Sequence, residues 1–159
     1  MRTAIHLGFF ALLLSASPLA SSDESREIDR LLSLQEPPSG VVFEVVTADD
    51  DALENALPRI KKHALRLRQR FPELSIAVVT HGLEQFSLMS SEITEYPDLH
   101  ALAKELTNTA DIPVQVCGTH ASWQGQTPED FPDYIEVVAA APAQINDYRQ
   151  LGYIVIDVE

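Results

Sequence analysis

The chain contains one cysteine, Cys117, and its position makes it the residue best suited to carry chemistry. Cys117 ends a predicted strand and is followed by Gly118, so its side chain stands at the start of a turn or helix. Free backbone N–H groups and the positive end of a helix dipole at such a place favour the thiolate form. A thiolate attacks sulfur atoms and binds soft metal ions. The alternative interpretation is a small buried residue that completes its strand.

A histidine follows another predicted strand directly, in the segment Val79-Thr80-His81-Gly82. The glycine after each of the two reactive side chains lets the backbone turn sharply and lets a partner approach closely. If the two strands are neighbours, His81 and Cys117 lie on the same edge of the sheet. His81 is therefore a candidate catalytic residue, with a structural histidine that bonds a loop carbonyl as the equal alternative.

Five further residues are predicted to form a binding region around this pair. They are Gly82, Gly118, Thr119, His120 and Trp123. Trp123, together with Tyr134 or Phe131, is a candidate pocket lining, although aromatic residues at this density are more often part of a core.

The remaining histidines are interpreted as structural or surface residues. His120 is expected to face solvent from a loop, and His63 and His100 are expected on the surfaces of predicted helices. The spacing Cys117-x-x-His120, with His81 nearby, is also compatible with copper or zinc. No second cysteine supports a metal site, so no cofactor is predicted.

Other catalytic templates are absent from the sequence. There is no glycine-rich phosphate loop, no G-x-S-x-G elbow and no H-E-x-x-H helix. Nucleotide, serine-hydrolase and zinc-peptidase chemistry therefore have no support.

The first 22 residues have the order of parts of a secretory signal peptide. Met1-Arg2 supplies a positive start, an apolar stretch runs from Ile5 to Leu14, and residues 15–22 are small and mostly uncharged. The apolar run is about half the length that a membrane-spanning helix needs, so no anchor is expected after its removal. We predict export to the periplasm, where a single cysteine has no internal partner for a disulfide.

The net charge of −13 argues against polyanionic partners. A strongly negative protein is repelled by nucleic acid backbones and by anionic lipid surfaces. Basic residues cluster between Arg59 and Arg70, but that stretch is predicted as a helix, where a solvated face is the ordinary interpretation.

The rest of the chain reads as an arm or linker over residues 23–39, which contains a short leading helix, and one α/β domain over residues 40–159. Apolar runs predict strands at residues 41–46, 75–80, 114–117, 135–138 and 153–158. Amphipathic patterns predict helices at residues 53–71, 83–88, 98–109 and 143–151, the last ended by Gly152. This alternation predicts a three-layer α/β/α fold around a mostly parallel sheet of about five strands.

Pro58 leaves the start of the first long helix open. It either kinks a helix that begins earlier or marks the true start, with Asn55 as a possible cap.

The chain from about Val41 onwards resembles the DsrE/DsrF-like family. The resemblance lies in Val79-Thr80-His81-Gly82, in Val116-Cys117-Gly118 and in the closing Ile145-Asn146-Asp147-Tyr148-Arg149-Gln150-Leu151-Gly152-Tyr153. It implies a compact α/β/α domain that assembles into trimers or hexamers. In sulfur-relay members a cysteine, matched here by Cys117, carries sulfane sulfur as a persulfide. His81-Gly82 matches a recurrent family pattern, whereas the export signal departs from the cytoplasmic relay proteins.

Three functional hypotheses follow from these observations. The first is a periplasmic sulfur-handling or thiol-redox protein, a sulfur carrier or sulfurtransferase-like protein in which Cys117 accepts sulfur from a donor and passes it to an acceptor protein. The second is a non-catalytic oligomeric binding module with a buried Cys117. The third is a copper or zinc site built from the cysteine and the histidines.

Overall fold

A five-stranded parallel sheet organises residues 23–158, which are the residues that this computed structural model describes. The strands are β1 (Gly40–Val45), β2 (Ile76–Thr80), β3 (Val114–Cys117), β4 (Ile135–Val138) and β5 (Tyr153–Val158). Their order across the sheet is β4-β3-β2-β1-β5, and every neighbouring pair is parallel. The predicted strands are confirmed to within one residue. The predicted signal peptide, residues 1–22, lies outside the described residues.

Helices cover both faces of the sheet. They are α1 (Asp23–Leu32), α2 (Ala52–Arg70), α3 (Pro97–Asn108), α4 (Gly118–Trp123) and α5 (Ala141–Gln150), with short 3-10 helices at Leu83–Leu88, Ser90–Glu92 and Pro128–Asp130. Alternate residues of each strand point to opposite faces. Phe43 of β1 packs in the cluster formed with α1, α2 and α3, whereas its neighbour Val42 packs with Ile145 of α5 on the other face. The predicted three-layer α/β/α architecture is confirmed.

The leading helix α1 is a packed part of this architecture. Its Ile28 and Leu31 are fully buried and join the core formed by α2 and the sheet. The predicted short helix is therefore present, and the region predicted as an arm contributes to the core.

Helix α2 passes through Pro58 without ending. Its N-cap is Asp51, so neither a start at Pro58 nor a cap at Asn55 is correct. Proline removes one helix hydrogen bond. The buried stripe that contains Leu57 and Ile60 continues on both sides of it and holds the helix against the sheet.

Two histidines that the sequence places on the surface are buried. His63 and His100 are 7% and 3% exposed, because both fall on the core-facing stripe of their helices. The ring of His100 lies between two partners: Nε2 is 3.0 Å from the carbonyl oxygen of Ser87, and Nδ1 is 2.7 Å from the hydroxyl of Tyr134. A carbonyl only accepts, so Nε2 carries the proton and Nδ1 accepts from Tyr134.

The basic cluster on α2 is used for structure and is more than a solvated face. Arg68 donates to the carbonyl oxygens of Leu74 and Asp111, at 3.2 and 3.1 Å. Arg70 donates to the carbonyl oxygen of Leu34 at 2.8 Å. Arg68 ties α2 to the loops that enter β2 and β3, and Arg70 ties it to the segment between α1 and β1.

Among residues 23–158, none of the helices combines the length and the apolar character needed to cross a membrane.

The buried histidines predict that the fold weakens in acid. Burial lowers the pKa of His100, and it also lowers that of His63, where Glu24 partly opposes the effect. The unfolded chain, with histidines near pKa 6.5, then binds protons more readily than the folded chain. Their contribution to stability is complete above about pH 6.5 and is lost as the pH falls through the lowered pKa values.

Urea unfolding at a series of pH values between 7 and 5 measures this effect. One such histidine contributes at most about 1.4 kcal/mol per pH unit. We expect His100→Gln to have a shallower dependence of its unfolding free energy on pH than the wild type. Identical slopes in the two proteins would contradict the assignment.

Candidate functional site

The carboxyl ends of β2 and β3 lie side by side, as strand neighbours. The chain therefore brings His81, directly after β2, and Cys117, the last residue of β3, to the same edge of the sheet. Both line a cavity of about 270 Å³ at that edge. Its other lining residues are Thr119, His120, Trp123, Ala140 and Pro142. Two larger cavities, of about 430 and 370 Å³, are lined by residues that include no cysteine or histidine.

The sulfur of Cys117 receives two backbone N–H groups. Sγ lies 3.4 Å from the amide nitrogen of His120 and 3.4 Å from that of Ala141. Cys117 is the N-cap of α4, and Ala141 is the first residue of α5, so the amino ends of two helices meet at one sulfur atom. N–H donors and helix amino ends both stabilise negative charge on sulfur.

The start of α5 explains how the second donor reaches the sulfur. The sequence pattern predicts a helix from residue 143, whereas α5 begins at Ala141 with Pro142 in its first turn. Proline is favoured there because the first residues of a helix need no N–H partner. The earlier start places the N–H of Ala141 against Cys117.

Thr119 and Gly118 hold α4 against the loop that enters α5. The amide and the hydroxyl of Thr119 both donate to the carbonyl oxygen of Ala139, at 3.0 and 2.8 Å. A Cβ atom on Gly118 would lie 3.0 Å from the carbonyl oxygen of Val138, so glycine permits this close approach. Thr119 lines the cavity, whereas Gly118 is not among the lining residues and serves the close packing of α4 against Val138.

The buried side chain of Gln85 holds the backbone of Cys117 in place. Its side chain is fully buried, and its Oε1 accepts the amide N–H of Cys117 at 2.8 Å. Its Nε2 is buried without a hydrogen-bond partner among residues 23–158. Gln85 was not predicted as a site residue, because nothing in the sequence distinguishes a buried glutamine from a surface one in a short helical segment.

His81 is paired with a carboxylate on the neighbouring strand. Its Nε2 lies 2.9 Å from Oε1 of Glu44, and Oε2 of Glu44 lies 3.8 Å from Nη2 of Arg149. Glu44 was not predicted as a site residue. The signal was nevertheless present, since Glu44 is the single charged residue in the apolar run 41–46.

His120 lies on α4 and lines the cavity, so its prediction as a solvent-facing loop residue is wrong. Its Nδ1 is 2.8 Å from the carbonyl oxygen of His81 and therefore donates to it. Its ring packs edge-on against Phe86 and Trp123, with centroids 5.3 and 5.9 Å away. Helix α4 was not predicted, because six residues are too few to show the repeating pattern of apolar residues that marks an amphipathic helix.

Trp123 alone of the three predicted pocket aromatics lines the cavity. It is 76% exposed, whereas Phe131 is in the core and Tyr134 contacts His100. An indole with this exposure at a cavity rim offers a flat apolar surface to an incoming molecule.

The donor atoms of the site are not arranged as a metal centre. Among residues 23–158, Asp49, Asp50 and Asp51 form the only group of three or more metal-type side chains whose ligand atoms lie within 4.8 Å of one another. This group is exposed on a loop. Nε2 of His81 and Nδ1 of His120 are already used in hydrogen bonds.

A buried carboxylate holds the turn that carries His81. Glu84 is fully buried, and it accepts the amide N–H groups of Gly82 and Thr47, at 2.8 and 2.9 Å, as well as the hydroxyl of Thr80. A Cβ atom on Gly82 would overlap the backbone of Thr47 and Oε2 of Glu84. Gly82 therefore serves close packing behind the cavity, whose lining does not include it.

This packing predicts a large cost for Gly82→Ala. We expect a loss of about 3 kcal/mol in the free energy of unfolding, because the overlapped atoms include the backbone of Thr47, which cannot rotate away. Gly125→Ala is the matched control: Gly125 has φ 76° and open space around its Cα, so only about 1 kcal/mol of backbone strain is expected. Urea unfolding measures both, and equal losses would contradict the packing argument.

Comparisons with known proteins show the fold alone. No protein-family model matches the chain, and no curated protein sequence matches it. Similar solved structures include the protein of unknown function MTH1491 from Methanobacterium thermoautotrophicum and the conserved protein of unknown function BT1422 from Bacteroides thetaiotaomicron. The first is 19% identical with a TM-score of 0.59, covering 74% of this chain and 97% of its own. The second is 12% identical with a TM-score of 0.52, covering 74% and 94%.

Proposed function

We propose that this protein is an exported sulfur-handling protein in which Cys117 accepts sulfane sulfur and holds it as a persulfide. The observation that carries the proposal is that Cys117 lines a cavity and that its Sγ receives N–H groups from His120 and Ala141. The species that attacks sulfur is the thiolate, and both N–H groups are directed at the sulfur atom that carries its charge.

The step needs a thiolate, access and a leaving group. With thiosulfate as donor, Sγ of Cys117 forms a bond to the sulfane sulfur. The sulfur–sulfur bond of the donor breaks, and its electron pair leaves with sulfite. The amides of His120 and Ala141 are directed at Sγ, the atom to which the added sulfur is bonded between its uptake from the donor and its transfer to the acceptor.

The resemblance to the DsrE/DsrF-like family supports this function, and with it we propose a periplasmic member that assembles into trimers or hexamers. In the sequence, Cys117 matches the family's sulfur-carrying cysteine. In the structure it is the last residue of β3 in a parallel α/β/α fold. The proposed partners are a sulfur donor and a sulfur-accepting protein, and nucleic acid is not among them because of the net charge of −13.

One observation favours a second candidate, a non-catalytic binding module. Cys117 is only 4% exposed as a residue, as a structural cysteine would be. The two candidates differ in whether a small reagent reaches Sγ through the cavity.

Sulfur loading is the first expected outcome. After incubation with polysulfide or thiosulfate, intact mass measurement should show addition of one sulfur atom to the wild type and none to Cys117→Ser. The added mass should disappear on treatment with a reductant, as a persulfide does. Absence of added sulfur on the wild type, or equal addition to Cys117→Ser, would end the proposal.

Thiol labelling separates the carrier from the binding module. We expect iodoacetamide to alkylate Cys117 in the folded protein, without denaturant, because Cys117 lines the cavity. Trp123→Ala should label faster than the wild type, since it removes the indole at the rim. A thiol that reacts only after unfolding would favour the module.

A further inference from the structure

We infer that Glu44 positions His81 as the acid–base group of this site, and that the sulfur donors it serves are small organic persulfides. This inference rests on the proposed function. It adds the class of donor and a positioning residue, Glu44, that acts through His81.

The hydrogen bond between Glu44 and His81 fixes which nitrogen of the ring can react. An ionised carboxylate only accepts, so Nε2 of His81, 2.9 Å from Oε1 of Glu44, carries a proton. In the neutral ring Nδ1 is then the basic nitrogen. The pair is partly shielded from water, since the side chains of His81 and Glu44 are 16% and 15% exposed. A carboxylate in this position also stabilises the positive charge that the ring gains on taking a proton.

The titratable and charged groups around His81 come from four elements. Glu44 lies on β1, Cys117 on β3 and His120 on α4, and Arg149 of α5 reaches Glu44 from its outer side at 3.8 Å. His120 is also held in one tautomer, with Nδ1 donating to the carbonyl oxygen of His81. A carbonyl fixes the tautomer but provides no counter-charge, so His81 is the better proton carrier of the two.

The reaction moves one sulfur atom between two thiols and needs no oxidant. Nδ1 of His81 takes the proton of the Cys117 thiol, and Sγ forms a bond to the outer sulfur of the donor R–S–SH. The sulfur–sulfur bond of the donor breaks, and its electron pair goes to the inner sulfur. His81 returns the proton to that sulfur, so that Cys117–SH and R–S–SH become Cys117–S–SH and R–SH.

The proton on His81 determines the class of donor. Weakly basic groups such as sulfite leave without a proton, whereas an alkyl thiolate is a poorer leaving group and benefits from protonation. A site with a carboxylate-supported acid is therefore suited to donors that release a thiol. The cavity of about 270 Å³, with the apolar side chains of Ala140, Pro142 and Trp123 in its wall, limits the donor to a small organic molecule.

The experiment compares two reactions of the same sulfur in each variant. Loading from the persulfide of free cysteine needs a proton for the leaving thiol, whereas alkylation by iodoacetamide releases iodide and needs none. The ratio of the two rates therefore cancels the thiolate content and accessibility of Cys117. We expect the ratio to fall on the order of 10-fold in Glu44→Gln, which keeps a hydrogen-bond acceptor but loses the charge, and about 100-fold in His81→Ala.

Glu136→Gln is the matched control, because Glu136 is an exposed carboxylate on β4 that bonds Gln115 at 2.8 Å and does not line the cavity. It should leave the ratio unchanged.

An unchanged ratio in both Glu44→Gln and His81→Ala would overturn the inference alone, provided that the wild type takes up sulfur. Loading of the wild type by thiosulfate but not by the persulfide would overturn the donor class. Loading by neither would overturn the proposed function as well.

Discussion

The convergence of two backbone N–H groups on one sulfur atom is the constraint on which the rest of the site depends. It requires α4 to start directly after Cys117, the last residue of β3, and α5 to start beside it. It therefore fixes the start of α4 and the loop after β4 together. Thr119 of α4 donates two hydrogen bonds to the carbonyl oxygen of Ala139 in that loop, which joins the two segments. The sulfur is thus held by main chain, which a change of side chain alone does not displace.

Around this sulfur, the polar side chains form two groups, one that lines the cavity and one that is buried behind it. His81 and His120 line the cavity, whereas Gln85 and Glu84 lie fully buried behind it and hold backbone amides. A fully buried carboxylate is costly unless donors surround it, and Glu84 has two amide N–H groups and one hydroxyl. The structure therefore uses buried hydrogen bonds to define the turn after β2, which leaves the histidine rings available to the cavity.

The sequence predicts the sheet well because its strands are buried on both faces and appear as short apolar runs between helical patterns. It also predicts that Cys117 and His81 share an edge if their strands are neighbours, and the pairing of β2 with β3 meets that condition. The sequence does not predict which polar side chains pair with each other when they are far apart along the chain. Glu44 lies 37 residues from His81 in the sequence, and its partner becomes evident only when β1 is placed beside β2. His63 and His100 show the same limit, because a histidine on a helix does not reveal whether its face is covered.

The exposed indole of Trp123 gives the cavity a built-in optical signal. The chain has a single tryptophan, so all of its indole emission comes from the rim of the cavity. The ring is surrounded mostly by solvent and lies edge-on to the imidazole of His120. Occupation of the cavity would exchange water at that ring for another surface, and the emission of the unlabelled protein would change with it.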